Sequence, residues 1–316
     1  LEDAVTFARL TLAIVDEQHR FGVNQRLGLR AKGANADLLI MTATPIPRSL
    51  ALTLYGDLAT SYLRQRPANR PPVESSLLKA AQRDRAYDRV RAAVTAGQQA
   101  YVVCALVDES EAAEARAATR EVERLRDHVF PSLNVGLLTG RMRPAEKQRV
   151  MQDFRERRVD VLVATTVIEV GVDVPNASVM VVLDADRFGV SQLHQLRGRV
   201  GRGAVPGLCL LVTWAELESL ARERVEAVAS TLDGFELAQK DLELRQEGDV
   251  LGQRQSGGRS SLRLLRVAKD GDLIMEARAL AADIIDADPW LDGYPDLREA
   301  LARRLDESSR DFMGKN

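Results

Sequence analysis

Two valine-rich runs, VDVLVA at 159–164 and SVMVVL at 178–183, restrict the fold more than any other part of this chain. A strand with one wet face alternates apolar and polar residues, whereas short, near-continuous apolar runs belong to parallel strands covered on both faces. Polar residues crowd the gap between the runs. Thr165, Thr166, Glu169, Gly171 and Asp173 are therefore expected at the C-terminal end of a strand, the edge at which α/β folds hold ligands. The same alternation recurs upstream. A helix is predicted over 84–96, a strand over 100–106, a charged helix over 110–129, a strand over 134–138, and a helix over 144–158 that Pro144 opens and that turns Val150, Met151 and Phe154 inward. Such alternation builds an α/β fold with a parallel sheet.

The run QLRGRVGRG follows at 195–203. Four arginines and no carboxylate lie between Arg187 and Gly203, so nothing local in the sequence neutralises Arg197, Arg199 and Arg202, and an anion is expected beside them. Gly198 and Gly201 each precede an arginine; they let the backbone approach a partner while rigid guanidinium forks project toward it, a geometry suited to phosphate. A helix C-terminus closed by arginine and glycine would use the same residues. Together, TTVIEVGVDVP at 165–175 and FGVSQLHQLRGRVGRG at 188–203 resemble motifs V and VI of superfamily 2 helicases, in the wording of the RecG branch-migration family.

Earlier segments extend that resemblance. TLAIVDEQHRFG at 11–22 is an apolar strand ending in two adjacent carboxylates that repel one another unless a cation intervenes. Asp16 can hold Mg²⁺ through its water shell while Glu17 orients and deprotonates a water attacking a γ-phosphate; a solvated turn carries the same pair. Asp16, Glu17, Gln18 and His19 resemble the DExH box, in which Gln18 and His19 help connect the nucleotide site to a second domain. DLLIMTATPIPRSLALTLYGDL at 37–58 reads as a strand that Pro45 and Pro47 stop before a helix. Its MTATPIPR resembles motif III, whose hydroxyls, here Thr42 and Thr44, link hydrolysis to the nucleic-acid path.

Beyond Val212 the sheet pattern ends. A helix predicted over 214–231, a turn at Asp233 and Gly234, and a helix over 235–246 make a hairpin. Next comes GQRQSGGRSSLRLLRVAK at 252–269, with five basic residues, no acidic ones and three glycines, as a basic flexible tail would also have. Hairpin and loop resemble the TRG motif shared by RecG and transcription-repair coupling factor, which converts ATP-driven domain closure into duplex DNA translocation; Arg254 and Gln255 are its carried-over coupling residues. Residues 141–158 carry seven basic and three acidic side chains, which suits a solvated helix face or a surface on a nucleic-acid backbone. The family wording GRMxPAEK favours contact through the turn from Thr139 to Arg143.

The resemblance implies a RecA-like helicase motor. Residues 1–70 would be the C-terminal part of a first RecA-like domain, 71–213 a complete second one, and 214–316 the hairpin, basic loop and terminal helices, with LRQRPANRPPVES at 63–75 as the linker. The implied cofactors are ATP and Mg²⁺, with the metal at Asp16. Asp16, Glu17, Gln18, His19, Gln195, Arg199 and Arg202 would be catalytic, and Gly171 and Asp173 would join Arg199 and Arg202 around ATP. Thr139, Arg141, Arg143, Thr165, Thr166 and Glu169 would meet DNA. The implied activity is remodelling of branched DNA, by fork regression and Holliday junction migration, in recombination and repair. The implied setting is a monomer in the bacterial cytoplasm, associated with the nucleoid, with branched DNA and a single-stranded-DNA-binding protein as partners. No Gly-rich GK[ST] loop occurs, so the chain reads as a C-terminal portion without the family's wedge, and ATP hydrolysis by these 316 residues alone is expected to be absent. Gln246, Glu247 and Gly248 stand where many members have Gly-Pro-Gly.

Two other readings remain at this point: a transcription-repair coupling factor motor, which typically has DEEH in motif II and threonine in place of Val170, and a non-catalytic DNA- or protein-binding module. Composition narrows the class further. A net charge of −2 excludes a globally basic nucleic-acid binder but leaves local patches open. No run approaches the ~18 apolar residues of a membrane span, and LEDAVTFARL lacks the features of a signal peptide. Cys104 and Cys209 lie in strand-like runs without metal-ligand neighbours, as buried reduced thiols do.

Overall fold

The computed structural model describes residues 5–17, 32, 36–43, 59–65, 71–105, 119–165, 173–244 and 271–304. Two parallel sheets carry the fold. Strands β1 (Leu12–Val15) and β2 (Asp37–Ile40) pair from Leu12↔Asp37 to Val15↔Ile40. The Met41 N–H extends the pairing to the Val15 carbonyl at 2.7 Å, so the strand ends bearing Asp16 and Thr42 lie side by side. Ala13 and Val15 are buried while Leu12 and Ile14 are exposed, so β1 has a single covered face.

The larger sheet contains β3 (Glu74–Lys79), β4 (Gln99–Cys104), β5 (Val135–Leu138), β6 (Val161–Thr165), β7 (Ala177–Leu183) and β8 (Leu208–Thr213). Its order is β3-β8-β7-β4-β6-β5, with every pair parallel. Strands β6 and β7, the valine-rich runs, are buried along their whole length, as their composition requires. One core layer gathers Tyr101, Phe154, Leu162, Met180, Leu193 and Leu211 on one face. The other holds Tyr87, Val90, Val102, Leu125, Phe130 and Val181. Successive β4 residues, Tyr101 and Val102, feed opposite layers, the two-residue period of a strand serving both sides at once.

Helices α1 (Arg83–Thr95), α2 (Pro144–Arg155) and α3 (Val190–Arg197) flank this sheet, and residues 119–124 form a helix that ends in a π turn at Leu125–Val129. Helix α2 stops three residues short of its predicted end. Arg157 takes a left-handed φ of 58°, and Arg158 folds back onto Asp153 at 2.6 Å. The hairpin is α4 (Leu220–Ser230) and α5 (Gly234–Leu244). Here the prediction of a helix from 214 is corrected: Asp186 accepts from the Thr213 hydroxyl (2.5 Å) and the Trp214 N–H (3.1 Å), which holds 213–214 against the sheet edge. Ser219 then caps the helix by accepting from the Arg222 N–H at 3.2 Å.

The chain divides into two compact units, Leu1–Ile46 with Ser61–Arg245, and Pro47–Thr60 with Gln246–Asn316. Within the second, α6 (Gly271–Ala287) and α7 (Pro295–Arg304) are the described helices. Among the described residues no helix is long and apolar enough to cross a membrane. Cys209 is buried and Cys104 only partly so; both thiols are free, and burial pushes each up to about 12.

Candidate nucleotide and nucleic-acid interface

The arginine run grows out of α3. Gln192 opens that helix by accepting the Gly189 N–H at 3.0 Å, and Val190, Leu193 and Leu196 fall on its buried side. Arg197 lies on the same side and is only 3 % exposed. Its guanidinium donates to the carbonyls of Val228 (2.5 Å) and Thr231 (2.6 Å) and to His194 Nδ1 (2.9 Å). Arg197 therefore needs no external anion, contrary to the sequence expectation. It satisfies orphan carbonyls at the C-terminal end of α4, where a cation also meets the negative end of the helix dipole.

Gly201 and Gly203 make close approaches within the chain itself. Gly201 has a φ of 67°, and a Cβ there would stand 3.0 Å from the Gly207 nitrogen and 3.1 Å from Val73 Cγ2. A Cβ on Gly203 would lie 2.5 Å from the Pro175 carbonyl oxygen. These approaches fold the run back across the entrances of β7 and β8, and Arg199 and Arg202 project from that turn.

Arg199 and Arg202 are less buried than Arg197. Arg202 donates to the Gly198 carbonyl at 3.0 Å and lies 3.5 Å from Asp173. Arg199 is half-buried; desolvation first and the neighbouring Arg202 second pull its pKa below the usual guanidinium value, while Tyr101, Glu17 and Asp173 act in the opposite sense. Glu17 thus stands within electrostatic reach of Arg199, which brings the acidic strand end of the small sheet to the arginine turn of the large one. Glu17 itself takes a left-handed φ of 53°, and its N–H donates to Asp16 Oδ1 at 2.8 Å. Tyr101, fully buried in β4, has its hydroxyl pKa raised by burial and lies in the field of Arg199 and Arg202.

The expectation that Thr165 and Asp173 share one strand end is also corrected. Thr165 closes β6, whereas Asp173 stands at the entrance to β7, at the opposite edge of the parallel sheet. The two edges are separated by about one strand length, ~20 Å for six residues. On the C-terminal edge, the Leu138↔Ala164 pairing sets Thr139 beside Thr165, which is 7 % exposed. The turn after β5 is pinned by Lys147 Nζ donating to the Gly140 carbonyl (2.7 Å) and by Glu146 accepting the Arg143 N–H (3.0 Å), leaving Arg141 and Arg143 exposed. Thr42 is exposed beyond β2, next to the Glu17 strand end, and Gln195 is partly buried on α3. Gln18, His19, Thr44, Thr166, Glu169, Gly171, Arg254 and Gln255 lie outside the described residues.

Sequence reasoning missed Arg197 as a packing residue and Tyr101 beneath the arginines. The first was detectable: Arg197 follows Val190 by seven and Leu193 by four residues, on the apolar stripe of α3.

Comparison with known proteins gives the family of the chain. The helicase conserved C-terminal domain family matches residues 79–204, and the family described as ATP-dependent DNA helicase RecG, domain 3, C-terminal, matches 231–311. The ATP-dependent DNA helicase RecG of Synechocystis is 45% identical over 97% of this chain and 37% of its own length. That of Mycobacterium leprae is 46% identical over 100% of this chain and 45% of its own. The chain belongs to the RecG family. The match over 231–311 favours RecG over transcription-repair coupling factor as the source of the hairpin resemblance. This RecG-family chain spans about two-fifths of the length of the curated relatives it matches. A solved structure of RecG bound to a three-way DNA junction is 40% identical with a TM-score of 0.65, covering 86% of this chain and 34% of that one. The helicase MrfA bound to DNA, at 18% identity and a TM-score of 0.51, shares the fold alone.

Proposed function

We propose that this chain supplies the nucleotide-sensing and DNA-moving part of an ATP-dependent helicase acting on branched DNA, by fork regression and Holliday junction migration. The observation that carries the reading is Glu17 in the electrostatic field of Arg199, with Asp173 bracing Arg202 beside it. In that reading residues 1–70, 71–213 and 214–316 are the partial first motor domain, the second motor domain and the hairpin with its loop and terminal helices.

The residues present fit a phosphate group. Arg199 is held below the usual guanidinium value by desolvation first and by the neighbouring Arg202 second, and an anion beside it would offset both. Asp16 is exposed at the end of β1, as suits a carboxylate that would hold Mg²⁺ through its water shell while the ion is shared with phosphate. When bound, Mg²⁺ and ATP supply the phosphoanhydride whose cleavage drives the motor. Glu17 then orients a water and takes its proton, and Arg199 and Arg202 neutralise charge developing on the phosphoryl oxygens. Gly171 and Asp173 line the nucleotide, and Gln195 joins Arg199 and Arg202 in the catalytic set. Gln18, His19, Thr42 and Thr44 relay the state of that site. Thr139, Arg141, Arg143, Thr165, Thr166 and Glu169 meet the DNA backbone at the other sheet edge, and Arg254 and Gln255 transmit closure to the duplex.

The complete gene product tests the proposal. With ATP it should convert three-way and four-way junctions to their unwound or regressed products, with ATPase activity stimulated by that DNA. Junctions left unchanged, with no DNA-stimulated turnover, would overturn it.

A further inference from the structure

The turn between α4 and α5 is gripped from two sides. Arg197 holds one side through the Val228 and Thr231 carbonyls. From there the turn is stitched residue by residue: the Thr231 hydroxyl oxygen accepts from the Asp233 N–H (3.1 Å) and the hydroxyl donates to Glu236 (2.6 Å), while Asp233 Oδ1 accepts the Phe235 N–H (2.8 Å). That last bond fixes the first turn of α5 and aims the Phe235 side chain.

The ring of Phe235 meets the segment that precedes the large sheet. Tyr62 presents its ring to Phe235 at 5.6 Å between centroids and 65° between planes. Arg64 sets its guanidinium carbon 5.2 Å from the centroid of the same ring. An aromatic edge-to-face pair and a cation over a π face both use the ring quadrupole, so this contact asks for an aromatic residue and not merely an apolar one. The Tyr62 hydroxyl oxygen is buried and has no hydrogen-bond partner among the described residues. Burying a hydroxyl unsatisfied is unfavourable, so Tyr62 is held there by its ring.

The same segment is fastened again further on. The Glu74 N–H donates to the Gly207 carbonyl at 2.8 Å, and Val73 lies against Gly201 in the arginine turn. Residues 62–64 are thus tied to the hairpin turn, and residues 73–74 to the glycines behind Arg199 and Arg202.

We propose that Phe235 is a positioning residue that clasps the connection between the two sheets to the hairpin turn, so that linker and turn shift as one body. Its effect on the motor rests on the function proposed above; the clasp itself does not. The partners are neutral or exposed groups outside the arginine turn, so the clasp can be opened without touching the nucleotide site.

Hydrogen exchange and activity on the complete gene product test this together. Phe235→Leu keeps apolar bulk and removes the quadrupole; Tyr62→Ala opens the clasp from the linker side, away from the hairpin core; Tyr62→Phe keeps the ring and removes only the buried hydroxyl. The first two should raise amide exchange at 61–65 by about tenfold, and Tyr62→Phe should leave it at the wild-type rate. Phe235→Leu and Tyr62→Ala should also keep DNA-stimulated ATPase within about twofold while base pairs unwound per ATP fall several-fold, with Tyr62→Phe restoring the coupling. Unchanged exchange in the first two variants overturns the clasp. Raised exchange with coupling intact overturns the positioning role and leaves a structural contact. If the wild-type protein unwinds no branched DNA, the function proposed above fails, and the exchange rates still decide whether the clasp exists.

Discussion

Arg197 and Arg202 are five residues apart in one basic run and occupy opposite regimes. At the root of the run, Arg197 is buried, donates to backbone carbonyls of a helix end, and is a structural part. At the tip, Arg202 leans on a half-exposed Asp173 at 3.5 Å, and Arg199 is crowded by a like charge. The residue type is the same, but desolvation and partners decide its use. A guanidinium surrounded by carbonyls stabilises the fold, whereas one half-buried beside another guanidinium carries a cost that a further anion would offset.

The sharpest way to break this contrast is to remove the tip. In the complete gene product, Arg202→Ala or Arg199→Ala should cut DNA-stimulated ATP hydrolysis by roughly 10³- to 10⁵-fold, as loss of an arginine finger does. Arg202→Ala should not lower unfolding stability by more than about 1 kcal/mol, since its partly exposed ion pair with Asp173 contributes little. Wild-type turnover in both variants would show that the tip is only structural.

Removing the root should give the converse. Arg197→Met keeps the apolar stem but strands two carbonyls in a buried place, so denaturant unfolding should show a loss of about 3 kcal/mol. A change smaller than about 1 kcal/mol would mean that water replaces the guanidinium there and the contrast collapses. A milder effect is expected between root and tip. Gly201→Ala forces a left-handed φ on a residue with a Cβ and crowds Gly207 and Val73, which should lower stability by about 2 kcal/mol. If thermal unfolding is unchanged, the turn adapts more easily than its backbone contacts suggest.

The smallest effect concerns a third set of arginines, at the other sheet edge. Arg141→Ala should weaken DNA binding uniformly across sequences and lower the salt slope by about one unit, while ATP turnover at saturating DNA stays unchanged. A loss of turnover that more DNA does not restore would place Arg141 in the coupling path instead.

Much of this architecture was legible in the chain. The runs at 159–164 and 178–183 could hardly be anything but doubly covered parallel strands, and both became strands buried along their length. Pro144 marked the start of α2, and Met151 and Phe154 its buried side. The helix expected from 214 failed because its first residues are held by Asp186, a partner 28 positions away that no local propensity records. What the arginine run hides in the sequence has the same origin. The sequence shows that Arg197, Arg199 and Arg202 are charged and that glycines separate them. It does not show that Val228 and Thr231 bring carbonyls to the first, or that Gly207 and Pro175 are what the glycines approach.

The sequence by itself therefore determined the elements, the family and the inventory of charged groups, because periodicity and side-chain chemistry are local properties. Tertiary structure alone decided which arginine is consumed by the fold, that Glu17 comes within electrostatic reach of Arg199, and that Asp173 and Thr165 lie on opposite edges of one sheet. The physical reason is that burial and Coulombic fields depend on distance in space. Packing fixes those distances through segments tens of residues apart, and no local pattern encodes them.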